Sequence, residues 1–154
     1  MQPKIKVAFD DLEHGWVRLT INDGVETFTI VVSYTPSDSF LDLTDALHSL
    51  LRDGQAKVTW HCEPPEYDML FSRSGADVSL EIYEYSDYRR GSERGTQTFS
   101  VSGTYVDICI PFWRALRDLQ GSFSAEELSK RWHRPFPSRE IDLLTSEMKE
   151  AREK

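Results

Sequence analysis

From residue 15 to residue 34 apolar side chains recur at every second position, and one tight-turn tripeptide divides the run. Val17, Leu19 and Ile21 alternate with Arg18 and Thr20, the period of a strand with one buried face. Asn22-Asp23-Gly24 follows, and such residues accept the positive φ that a hairpin turn needs. In a second strand, Glu26 to Tyr34, the side chains of Phe28, Ile30, Val32 and Tyr34 share a face. The pattern predicts an antiparallel hairpin beginning at Gly15. Two strands alone cannot bury that face, so the rest of the chain must supply more sheet and a covering layer.

The period then changes. Pro36-Ser37-Asp38-Ser39 offers helix caps, and Asp42 stands three residues past Ser39 in an imperfect capping box. Phe40, Leu43, Leu47, Leu50 and Leu51 recur at helical spacing, and Arg52-Asp53-Gly54 closes a helix over about 39–53. Four strand-like runs come next: Lys57 to Glu63, Tyr67 to Arg73, Val78 to Tyr85 and Thr96 to Val101. Pro64-Pro65 breaks the first from the second, and Ser74-Gly75-Ala76-Asp77 turns the chain before the third. Ser86 to Gln97, SDYRRGSERGTQ, and Arg134 to Ser138, RPFPS, read as turns or mobile loops. Helices are expected over Ile108 to Leu119, with Pro111 tolerated only in the first turn, from Ser124 to Trp132, and from Ser138 to about Glu153. The order ββαββββ followed by helices predicts one α+β domain over residues 1–154. Its sheet would be antiparallel, of about six strands, with the first helix and the C-terminal helices on one face. The other sheet face would be open or covered by a partner.

A chain of 154 residues buries enough surface to fold without a disulfide or metal. The two cysteines, Cys62 and Cys109, match no zinc or redox spacing and read as buried thiols, with a disulfide between them open only if their segments are neighbours. The start, Met-Gln-Pro-Lys, leads into no apolar run of signal-peptide length, and no uncharged apolar stretch is long enough to span a membrane, so a cytoplasmic location is the default expectation. Net charge is −8 and unevenly placed. Residues 1–88 hold 16 acids against 6 bases, and residues 89–154 hold 10 against 12. That field disfavours nucleic acid and anionic membranes and favours a basic partner.

Phosphate loops, dinucleotide fingerprints, His-Glu-x-x-His and Gly-x-Ser-x-Gly elbows are all missing from the sequence, so the expectation is a protein that is not an enzyme and has no cofactor or metal. Asp10, Asp11, Glu13 and His14 could attract a divalent cation but read more simply as a solvated lead-in to the first strand. Glu63, Glu66 and Asp68 surround the Pro64-Pro65 turn, which should be wet and mobile. The richest stretch is Glu81 to Tyr88. If Val78, Leu80 and Ile82 face the helices, then Glu81, Tyr83, Tyr85 and Asp87 face outward as a row of acids and tyrosines. Tyrosine gives rigid contact area with a polar tip, and carboxylates beside it suit a partner's Arg or Lys. The competing expectation is ordinary cross-strand packing on a solvated face. Glu63 and Glu66 join Glu81, Tyr83, Tyr85 and Asp87 as candidate partner-binding residues. Arg89, Arg90 and Arg94 are too few to bind phosphate strongly. Trp132-His133-Arg134-Pro135-Phe136-Pro137 should pack back on the core and fix a helix angle.

The His14-Gly15-Trp16 hairpin start, the leucine-rich helix and the Trp132 to Pro137 segment look like small bacterial cytosolic proteins, and the general design resembles immunity proteins of bacterial polymorphic toxin systems. The resemblance implies a binding protein that occludes a basic toxin domain by acids and tyrosines. The alternative is a small self-associating or scaffold module of a bacterial assembly, which an open sheet face also permits as a homodimer.

Overall fold

A computed structural model describes residues 5–153; the basic start Met1 to Lys4 lies outside them. The described elements run β1 (Lys6–Glu13), β2 (Trp16–Asn22), β3 (Thr27–Ser33), α1 (Ser39–Ser49), β4 (Gly54–His61), β5 (Glu66–Ser74), β6 (Asp77–Tyr85), β7 (Thr96–Gly103), α2 (Tyr105–Ser122), α3 (Ala125–Trp132) and α4 (Ser138–Glu153). The α+β class is as expected, but the single six-stranded sheet is not. The strands form two antiparallel meanders, β1-β2-β3 and β4-β5-β6-β7. Alternation fixes which side chains of a strand face the core. It does not fix which strands pair, and α1 separates β3 from β4 so that the two touch without a ladder.

The extra strand, β1, lies where the sequence reads as a solvated lead-in. It pairs with β2 along Val7↔Ile21 and Phe9↔Leu19, and its register shifts between Asp10 and Glu13. Asp11 there has φ of 55°. The irregularity moves the next core residue from position 11 to Leu12, which hides the two-residue period. The hairpin itself is as expected, with Leu19 opposite Ile30 and Ile21 opposite Phe28. Its turn is fastened by Asn22 Oδ1, which accepts from the Gly24 N–H at 2.7 Å, and by Asp23 Oδ1, which accepts from Glu26 N–H at 2.7 Å.

Both sheets point their apolar faces into one core. Phe9 meets Phe40 of α1 edge-on at 5.1 Å and Trp60 of β4 at 6.1 Å, while Phe28 meets Tyr67 at 5.5 Å. Helix α2 lies against β1, β6 and β7, α1 against β4, α3 against β1 and β2, and α4 against α1 and α2. Asp38, not Ser39, caps α1; its Oδ1 accepts from Leu41 N–H at 3.2 Å, leaving Ser39 Oγ to donate to the Thr59 carbonyl at 2.9 Å. Thr104 and Asp107 form a full capping box on α2, so the helix starts three residues earlier than expected and Pro111 stands inside it. There it removes one backbone hydrogen bond.

The Trp132 to Pro137 segment folds back on the core. Trp132 and Phe136 flank Phe40 at 4.6 and 5.4 Å, and Trp132 Nε1 donates to Asp38 at 3.2 Å. His133 packs edge-on to Tyr34 at 5.1 Å, and Arg134 donates to the Tyr34 and Pro36 carbonyls. Gly15 (φ 78°) sits beneath this junction, where a Cβ would come within 2.4 Å of the Tyr34 ring. Among the described residues no helix is long and apolar enough to cross a membrane.

Candidate functional site

The outer face of β4-β5-β6-β7 is a grid of mostly polar side chains set by the register. Across the strands run His61, Glu66 and Tyr85; then Thr59, Asp68, Tyr83 and Gln97; then Lys57, Leu70, Glu81 and Ser100. Val58, Trp60, Tyr67, Met69, Phe71, Val78, Leu80 and Ile82 occupy the opposite, core-facing side. Glu81, Tyr83 and Tyr85 therefore share the outward face, as the alternation predicts. The Tyr83 hydroxyl donates toward Glu81 Oε2 and Gln97 Oε1, both at 3.2 Å. Asp87 lies beyond β6, in the loop, where its carboxylate accepts from Arg89 N–H at 2.8 Å. Glu63 is exposed in the turn, with φ of 46°.

Glu66 and Asp68 depart most from the sequence expectation. Far from sitting at a wet turn apex, they open β5 with only 7% and 5% of their surface exposed. What covers them is Arg90, reached 22 and 24 residues further along the chain. Its Nη1 and Nη2 donate to the two Asp68 oxygens at 2.7 and 2.8 Å, and its Nε donates to Glu66 Oε2 at 2.9 Å. The guanidinium also lies 3.8 Å from the Tyr85 ring centroid. Gly95 (φ 75°) also packs against the ring, since a Cβ there would stand 2.8 Å from Tyr85 Cζ. Thr59 Oγ1 donates to Asp68 at 2.8 Å, and His61 bridges Glu66 at 3.2 Å and Ser37 at 2.9 Å.

Electrostatics follow from this geometry. Burial works against the Asp68 carboxylate, but hydrogen bonds from Arg90 and Thr59, with the charges of Arg90 and Lys57, outweigh it and hold its carboxyl below the ordinary value. The same pairing with Asp68, then Glu66, raises the guanidinium against an opposing burial effect. Of the three loop arginines, Arg90 is thus committed to the chain itself. The sequence holds a signal for this: the two-residue period that puts Tyr67 and Met69 inward puts Glu66 and Asp68 on the face of Tyr83 and Tyr85.

Elsewhere the reactive side chains are muted. Burial pushes both thiols up to about 12, with Glu84 reinforcing the effect at Cys62, so thiolate is scarce at neutral pH. Both cysteines are free, Cys62 just after β4 and Cys109 inside α2. Asp11 pairs with Arg18 at 2.7 Å and Glu13 with Arg131 at 3.3 Å. Among the described residues no three His, Cys, Asp or Glu side chains are grouped to hold a metal. The chain matches no protein family, no curated protein and no solved structure.

Proposed function

We propose that this chain is a cytoplasmic binding protein without catalysis, an immunity-type inhibitor that occludes a basic protein partner with the outer face of its four-stranded sheet. The observation that carries the reading is the juxtaposition of Tyr83, Glu81 and Gln97 with Tyr85 on a sheet face whose other side is packed into the core. Tyrosines seated beside carboxylates offer a rigid anchor and a partner for Arg or Lys. Occlusion needs no reactive group, only fit and fast capture, and a chain of net charge −8 steers a basic partner.

The test is capture of a partner by the tagged chain, compared with a Tyr83→Ala/Glu81→Lys variant and with Arg18→Ala on the other sheet. The expected partner is basic, is toxic when expressed alone, survives Arg18→Ala and is lost in the double variant. Tyr83→Ala alone should weaken binding roughly 10- to 100-fold. Association should slow with added salt, and equal capture by the double variant would sink this choice of face.

A second reading, self-association, draws on β7. This last strand of its sheet, TQTFSVSG, carries no charge and no proline, the usual guards of an edge. A stable dimer in sedimentation that Ser100→Lys dissolves would favour that reading; a monomer would leave the first.

A further inference from the structure

We infer that residues 86–95 form a strap latched by Arg90, and that the latch occupies a guanidinium site built to take an arginine side chain of a protein partner. The occupant rests on reading this face as a docking surface; the strap does not.

Three observations carry it. First, the strap has one latch. Its other polar contacts are internal, Ser86 to Glu93 at 3.0–3.2 Å and Arg89 to Asp87. Among the described residues, every hydrogen bond from the 86–95 loop to a side chain outside it comes from Arg90. Second, the seat is complete for a planar fork and not merely acidic. Asp68 takes two guanidinium nitrogens side by side, Glu66 takes the third, and Tyr85 supplies an aromatic face at 3.8 Å. The carboxylates are held in place from the neighbouring strand, by Thr59 and His61. A lysine ammonium could not satisfy that arrangement. Third, the seat adjoins Tyr83 and Gln97 on the same grid, so an arginine entering it would come with a partner lying on the tyrosine face.

The chain thus shields its own buried carboxylates until a competitor arrives. Arg90 is held beside the seat by a short strap anchored at both ends, so a dilute free arginine does not displace it, whereas an arginine on a partner already docked can.

The experiment uses the full chain with no partner. Amide hydrogen exchange is compared in wild type, Arg90→Ala, Arg90→Lys and Asp68→Asn, and N-acetyl-arginine amide and N-acetyl-lysine amide are titrated while the Tyr85 ring signals are followed by NMR. In Arg90→Ala, exchange across 86–95 should rise about tenfold or more while β5 and β6 stay protected. That variant should bind the arginine probe saturably in the millimolar range, several-fold better than the lysine probe, and wild type should bind neither. Loop exchange unchanged in both Arg90→Ala and Asp68→Asn would overturn the latch. Equal binding of the two probes, or equal binding by wild type, would overturn the seat. Should Arg90→Ala fail to fold, Arg90→Lys decides: faster loop exchange supports the latch, and unchanged exchange removes it. Absence of any partner bears on the docking surface and leaves these results standing.

Discussion

The two sheets are built alike and finished differently. Each is an antiparallel meander with one face in the shared core. On the outer face of β1-β2-β3, the ion pair Arg18–Asp11 joins side chains 47% and 65% exposed. On the outer face of β4-β7, Asp68 and Glu66 side chains are 7% and 10% exposed and share a guanidinium. The first pair decorates a surface that would fold the same without it. The second is a buried charge group, and it exists only because a loop comes back over the strand. Carboxylates taken from water without a cation would be costly, so Arg90 makes their burial possible.

The largest effect should come from breaking what the sheets share. Trp60→Ala removes the ring between β4 and Phe9 and should cost about 3–5 kcal/mol in denaturant unfolding. Loss in one cooperative transition is expected; two separated transitions would mean that the sheets fold independently. Arg90→Ala should come next, at about 1–3 kcal/mol, discounted from a fully buried pair because the Arg90 side chain is 27% exposed and water can enter the opened seat. A pH series sharpens that contrast. Asp68 has its carboxyl pulled below the ordinary 3.8, so its contribution is complete above that value and is lost as pH falls through the lowered one. The stability difference between wild type and Asp68→Asn should therefore be flat at neutral pH and shrink below about pH 4, and a difference constant down to pH 2 would contradict the pairing. Arg18→Ala should do least, no more than about 1 kcal/mol, and its small effect should fade in salt. A larger loss there would erase the distinction between the two faces.

Charge along the chain also changed meaning on folding. The first 88 residues are strongly acidic and the remainder slightly basic. In space the two parts neutralise each other at chosen points: Arg90 at Glu66 and Asp68, Arg131 at Glu13. With Arg90 seated, the acidic surface open to a partner is smaller than the composition suggests and centres on Glu81 beside Tyr83, with Glu66 and Asp68 covered.

Local pattern determined the hairpin of β2 and β3, the four later strands to within a few residues, the four helices and the outward face of Glu81, Tyr83 and Tyr85. These follow from side-chain period and turn chemistry, which act over a few residues. Tertiary structure alone decided the rest. The bulge at Asp11 concealed β1, the passage through α1 parted the strands into two sheets, and Arg90 found its carboxylates more than twenty residues back in the chain. Each of these depends on which distant segments meet, and no local period records that.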